Sequence, residues 1–206
     1  MSKSNGSPIT ATQISDLREQ TSAGIMDCKK ALEESGGNME KAKAWLRDRG
    51  VALAAKREGK EATKGIVGSY IHLGGTVGVL IEVNCETDFV ALNEEFKNLV
   101  KEVAMQIAAM KPRWVSRDQV PAEAIDEKRK EFEQEAMKEK KPAPMAAKIA
   151  EGKLDKYLSE FCLLEQPYVR ESSGKVKVKD LLTEASAKTG EKIVLRRFAR
   201  YEVGKD

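Results

Sequence analysis

Residues 66–83 restrict this chain most, because they commit one face of a β-ribbon to burial. Val77, Val79, Ile81 and Val83 alternate with Thr76, Gly78, Leu80 and Glu82. A strand sends successive side chains to opposite faces, so one face is apolar and the other mixed. Residues 66–73 form a second strand-like run ahead of it, and Gly74-Gly75 between them is a hairpin turn signal. Gly68 and Gly78 leave the mixed face low, which lets a helix or a partner backbone approach closely.

A ribbon of this kind needs cover, and helical periodicity on both sides of it supplies cover. Thr10 and Gln13 make a capping-box pattern that opens a short helix with Ile14 and Leu17 inward. A break at 21–24 precedes a second helix with Ile25, Cys28 and Leu32 at spacings of three and four. Gly36-Gly37 ends it and Asn38 caps a third helix, lined by Met39, Ala42, Trp45 and Leu46, with Gly50 suited to its end. Residues 51–64 mix alanine, glycine and charge and are expected to be a linker. After the ribbon, Asn93 caps a long helix bearing Phe96, Leu99, Val100, Val103, Ala104 and Ile107, which Lys111-Pro112 stops. Pro121 opens a charged helix that Pro142 and Pro144 end. A further helix at 145–164 is interrupted at Gly152, and one at 179–188 is closed by Gly190. The last strand covers 193–203. The expected class is α+β, with a three-helix bundle and a small three-stranded antiparallel sheet packed with helices. The expected division is a disordered tail at 1–8, the bundle at 9–50, the linker at 51–64 and the core at 65–206.

Charge and cysteines narrow the function classes. With 36 basic and 33 acidic residues interleaved, the net charge of +3 is low for a dedicated nucleic-acid binder. Lys175, Lys177 and Lys179 are the one local exception, read either as a solvated strand face or as a phosphate track. Cys28, Cys85 and Cys162 are isolated, odd in number and flanked by apolar residues, so they read as buried thiols in a reducing compartment. No apolar run approaches the ~20 residues that span a bilayer, and residues 1–8 lack a signal peptide's apolar core. The expected location is cytoplasmic, without membrane attachment.

Catalytic motifs are missing. His72 is the single histidine, so no zinc set of the HExxH kind can form, and no GxxxxGKS/T phosphate loop occurs. A Cys85–His72 pair across the hairpin is the only nucleophile arrangement available, and no oxyanion partner is evident for it. The chain is expected to be no enzyme and to carry no cofactor and no metal. Thr87, Asp88, Phe89 and Val90 place an acid and a large aromatic side by side between a strand and a helix. Either Phe89 tucks under the sheet and Asp88 caps a turn, or the connection is a protruding wedge with the carboxylate as a specificity handle.

Four ordered blocks carry a resemblance over 9–204. They are LREQTSAGIMDCKKALEESGGNMEKAKAWLRDRG at 17–50, GVLIEVNCETDFVALNEEF at 78–96, KIAEGKLDKYLSEFCLLEQPYV at 148–169 and GEKIVLRRFARYEVG at 190–204. The sequence resembles the elongation factor Ts family, guanine-nucleotide exchange factors of elongation factor Tu. The resemblance implies that the N-terminal bundle is similar to ubiquitin-associated domains and packs on the partner's G domain, with Ile25 and Met26 at its apolar contact positions. It puts Asp88 and Phe89 on the acid and aromatic that wedge between partner helices near the magnesium site. His72, within SYIH, falls on a histidine that supports displacement of the partner's phosphate-binding loop. Thr87, Asp88, Phe89 and Val90 are thus the candidate wedge. One hairpin carries both motifs, as in short forms with a single core subdomain, some of which pair as two copies. Ala199 within RRFAR excludes a covalent link there. A non-covalent homodimer in a 2:2 complex and a monomer both remain consistent with the residues. Three rival readings are a ubiquitin-binding adaptor, an RNA-binding ribosome accessory protein and a small Cys85–His72 enzyme.

Overall fold

The computed structural model describes residues 9–21 and 23–205. The expected tail at 1–8 and Ser22 of the break lie outside the described residues. Among those described, the fold is α+β, with eight α-helices and one three-stranded sheet. The chain divides into two compact units. One comprises Met1–Ile66, Asn84–Lys97 and Leu181–Val194, and the other Val67–Val83, Asn98–Asp180 and Leu195–Asp206.

In the first unit, α1 (Ala11–Thr21), α2 (Ile25–Glu34) and α3 (Met39–Lys56) form the bundle. The box at the start of α1 closes as its residue types dictate. Gln13 N donates to Thr10 Oγ1 at 3.2 Å and Thr10 N donates to Gln13 Oε1 at 3.0 Å. Asn38 Oδ1 accepts from Lys41 N at 2.9 Å and starts α3. Leu17, Cys28, Ala31, Leu32 and Ala42 are fully buried, with Ile14, Met39, Trp45 and Leu46 packed around them. Ile25, at helical spacing with Cys28 and Leu32, is nonetheless exposed. It is the first residue of α2, one turn before the packed layer begins at Cys28.

The end of α3 also departs from the expectation. The helix runs through Gly50 and stops at Lys56, so residues 51–56 of the expected linker are helical. Gly50 is buried, and a Cβ there would lie 3.2 Å from Ala187 Cβ. Glycine serves there to let another helix come close, not to end its own. That neighbour is α8 (Val178–Thr189), which ends where Gly190 takes φ 72° and donates its N–H to Ser186 O at 2.9 Å.

In the second unit lies most of the sheet. Its strands β1 (Lys64–Ile71), β2 (Val77–Cys85) and β3 (Val194–Glu202) run antiparallel with β2 central. Val79, Ile81 and Val83 are buried as the alternation requires. Helix α5 (Glu94–Met110) brings Val100 so near the ribbon that a Cβ on Gly68 would sit 2.4 Å from Val100 Cγ1. Gly68 therefore faces the helix-covered side beside Ile81, not the mixed side. The mixed side is open. Val67, Ile71 and Leu80 on it are exposed, and Ile71, Gly78, Leu80, Tyr201 and Val203 line a shallow groove.

Helices α6 (Ala122–Lys138) and α7 (Ala143–Phe161) pair through a short connection as an antiparallel hairpin. Leu154 and Leu158 are buried against Ile125, Phe132 and Tyr157, and Arg129–Glu151 and Lys153–Glu135 link the two helices at 2.6 and 2.9 Å. Pro142 is the N-cap of α7 and Pro144 lies in its first turn, where a missing N–H loses no bond. Gly152 does not interrupt α7, since it faces solvent and its neighbours carry the helix across it. The lysine alternation at 175–179 is no strand. Lys177 makes a single bridge to Pro167, and Lys179 lies in the first turn of α8.

Candidate functional site

The segment between β2 and α5 is not an open loop. Thr87 is the N-cap of a five-residue helix, α4 (Asp88–Leu92), and its Oγ1 accepts from Val90 N at 3.4 Å. Asn93 then ends α4 with extended backbone and caps α5, its Oδ1 accepting from Glu95 N at 2.8 Å. Two capping residues six positions apart thus hold one turn of helix between rigid elements. On that turn Phe89 is 88% exposed. It does not tuck under the sheet, and Thr87, not Asp88, provides the cap. Asp88 is exposed and pairs with Lys64 at 3.4 Å, while Val90 is half-buried.

Sequence reasoning missed Leu92. It lies three residues after Phe89 on α4 and is 69% exposed, so the two apolar side chains share one helical face. That i, i+3 spacing was visible in DFVAL, but it needed the helix to give it meaning.

Two carboxylates fasten the base of this turn. Glu191 Oε2 accepts from Glu86 N and Thr87 N, each at 3.0 Å, and Glu191 Oε1 accepts from Thr87 Oγ1 at 2.6 Å. Glu86 Oε1 accepts from Lys192 N at 2.7 Å, and Arg57 pairs with Glu86 Oε2 at 3.1 Å. Cys85 is buried beside them and its thiol donates to Thr87 O at 3.1 Å. Burial, then the Glu191 charge, pushes that thiol above its ordinary range, so it is held as a thiol, opposite to what a nucleophile needs.

Ile25 and Met26 stand together in the first turn of α2, 56% and 74% exposed. Asp27, the next residue, pairs with Arg49 at 3.0 Å. These residues and the α4 turn belong to the first unit. His72 belongs to the second, at the hairpin, where its N–H donates to Val77 O at 2.9 Å and its ring Nδ1 lies 3.1 Å from Tyr70 Oη. Beside it Leu73 is 90% exposed at the turn, a second apolar residue absent from the sequence-based set. Among the described residues no cluster of His, Cys, Asp and Glu could hold a metal ion, and no helix is long and apolar enough to cross a membrane.

A family model described as "Elongation factor TS" matches residues 50–204. Curated relatives extend the likeness into the bundle. An elongation factor Ts of Anaeromyxobacter sp. (strain K) is 54% identical over 196 residues, covering 95% of this chain and 89% of that protein. Those of Carboxydothermus hydrogenoformans and Desulforamulus reducens are 53% and 50% identical over the same shares.

Proposed function

The chain belongs to the elongation factor Ts family, whose members are translation elongation factors, and from that premise we propose that it releases GDP from elongation factor Tu without covalent chemistry. The observation that carries this reading is the exposed Phe89 on a short helix capped at both ends. Presenting a ring on a tethered turn lowers the ordering entropy that binding would otherwise require. A buried aromatic anchor commonly contributes a few kcal/mol to an interface. Phe89, with Leu92 beside it, enters between partner helices and displaces the contacts that hold the partner's magnesium. Asp88 is costly to bury unless the partner supplies donors, so it selects the partner. Its exposed pair with Lys64 is weak and easily exchanged. Ile25 and Met26 dock on the G domain, and His72 supports displacement of the phosphate-binding loop. The factor binds the nucleotide-free partner more tightly than the GDP form, and linkage requires GDP to be weakened by the same ratio. GTP then rebinds and expels the factor.

The test is stopped-flow release of labelled GDP from elongation factor Tu. The wild-type chain should accelerate release, and Phe89→Ala should lose most of that acceleration while melting normally. A stable Phe89→Ala chain with undiminished exchange overturns the wedge.

A second reading concerns assembly. The open side of the sheet presents Val67, Ile71, Leu80, Tyr201 and Val203, an apolar patch of the kind that marks an interface. It supports a non-covalent two-fold dimer, giving a 2:2 complex. Light scattering should report a dimer that reductant leaves unchanged and that Leu80→Asp splits. A monomer at all concentrations, free and in complex, rejects it.

A further inference from the structure

We propose that Glu191 is a positioning residue for the Phe89 wedge, holding the base of α4 in a reciprocal clamp with Glu86. The proposal rests on the wedge reading above. A helix of five residues lies far below the length at which helices persist alone, so its geometry must be imposed from outside. Phe89 has almost no packing of its own, and its direction is inherited from the backbone beneath it.

That backbone is held by Glu191. One oxygen takes the N–H groups of Glu86 and Thr87, and the other takes the Thr87 hydroxyl proton. Donating to Glu191 leaves the Thr87 hydroxyl only as an acceptor toward Val90 N, which is its capping bond. Glu191 therefore sets the rotor on which the cap depends. The clamp is reciprocal, because Glu86 returns a bond from its side chain to Lys192 N. Hydrogen bonds to ionised acceptors are about twice as strong as neutral ones, and here three converge on one carboxylate. Arg57, the residue after α3, binds Glu86, and Lys192 Nζ binds the carbonyls of Glu58 and Lys60. The segment that leaves the bundle is thereby tied to the same clamp. Glu191 acts through the Glu86 and Thr87 backbone N–H groups and the Thr87 hydroxyl.

The experiment measures the saturating rate of labelled GDP release and the half-saturating factor concentration, with thermal melting of each full-length variant. Glu191→Ala should lower the saturating rate about tenfold, as misplacement of a contact group does. Glu191→Gln should recover part of it, because the amide oxygen can accept from both backbone donors, whereas the amide N–H no longer takes the Thr87 hydroxyl proton. In a Phe89→Ala background Glu191→Ala should add less than about twofold, since its effect runs through that ring. If Glu191→Ala melts below the assay temperature, Thr87→Val carries the same cycle. A wild-type rate for folded Glu191→Ala, or an equal loss with and without Phe89, overturns the proposal. An undiminished rate for Phe89→Ala would sink the wedge itself. A lowered rate for Phe89→Ala beside a normal Glu191→Ala would sink only the clamp.

Discussion

Phe89 and Phe96 lie seven residues apart and occupy opposite environments. Phe96 is 1% exposed at the start of α5, whereas Phe89 projects from α4. Truncating a buried phenylalanine leaves a cavity and costs about 3–5 kcal/mol. Truncating an exposed one away from special features stays within about 0.5 kcal/mol. Phe96→Ala should therefore lower the melting temperature steeply and Phe89→Ala should not, which separates loss of exchange from loss of fold in the same assay. Helical spacing places Phe96 on the apolar side of α5 but leaves Phe89 open, tucked under the sheet or protruding. It takes the caps at Thr87 and Asn93 to turn that ring outward.

At the scale of elements, what was legible were local chemical signals. The hairpin, the Thr10–Gln13 box and the caps at Asn38, Asn93 and Gly190 all follow from neighbours within four positions. What was not legible depended on distant packing. Gly50 reads in sequence as a helix end and Gly152 as an interruption, yet α3 and α7 run through both. Gly50 faces Ala187 at 3.2 Å from a hypothetical Cβ, and Gly152 faces nothing within 4 Å. Gly152→Ala should thus stabilise by about 0.5–1 kcal/mol through helix propensity. Gly50→Ala should lose that gain to overpacking. Chemical denaturation of the pair checks both signs. Glu191 was missed for the same reason as Gly50, because a glutamate beside a helix cap carries no local mark of a partner 104 residues away. At the far end of β3, Glu202 accepts from Arg200, Lys205 and Lys111, which hold its carboxyl down to about 2 from 4.5. A carboxyl lowered on folding adds stability above its unfolded value and loses it as pH falls through the folded one. Melting temperature should accordingly fall between pH ~4.5 and ~2, and Glu202→Gln should flatten that decline.

For the whole molecule, the two compact units are woven from alternating stretches of chain, so neither is a continuous segment. The unit that carries the bundle and α4 also includes residues 181–194, and the other includes β3 from Leu195 onward. The proposed dimer uses the open sheet side, and its test by light scattering is a measurement on the intact chain, since no contiguous fragment contains one unit without part of the other. The reciprocal clamp has a consequence in time. Glu86 and Glu191 are joined across 105 residues, and contacts of such separation form late because the intervening chain must first be brought together. On the ribosome the bundle can fold as soon as α3 emerges, whereas the turn that presents Phe89 lacks its Glu191 clamp until residue 191 has been synthesised. A nascent chain would therefore form its first three helices well before the turn that carries Phe89 is clamped.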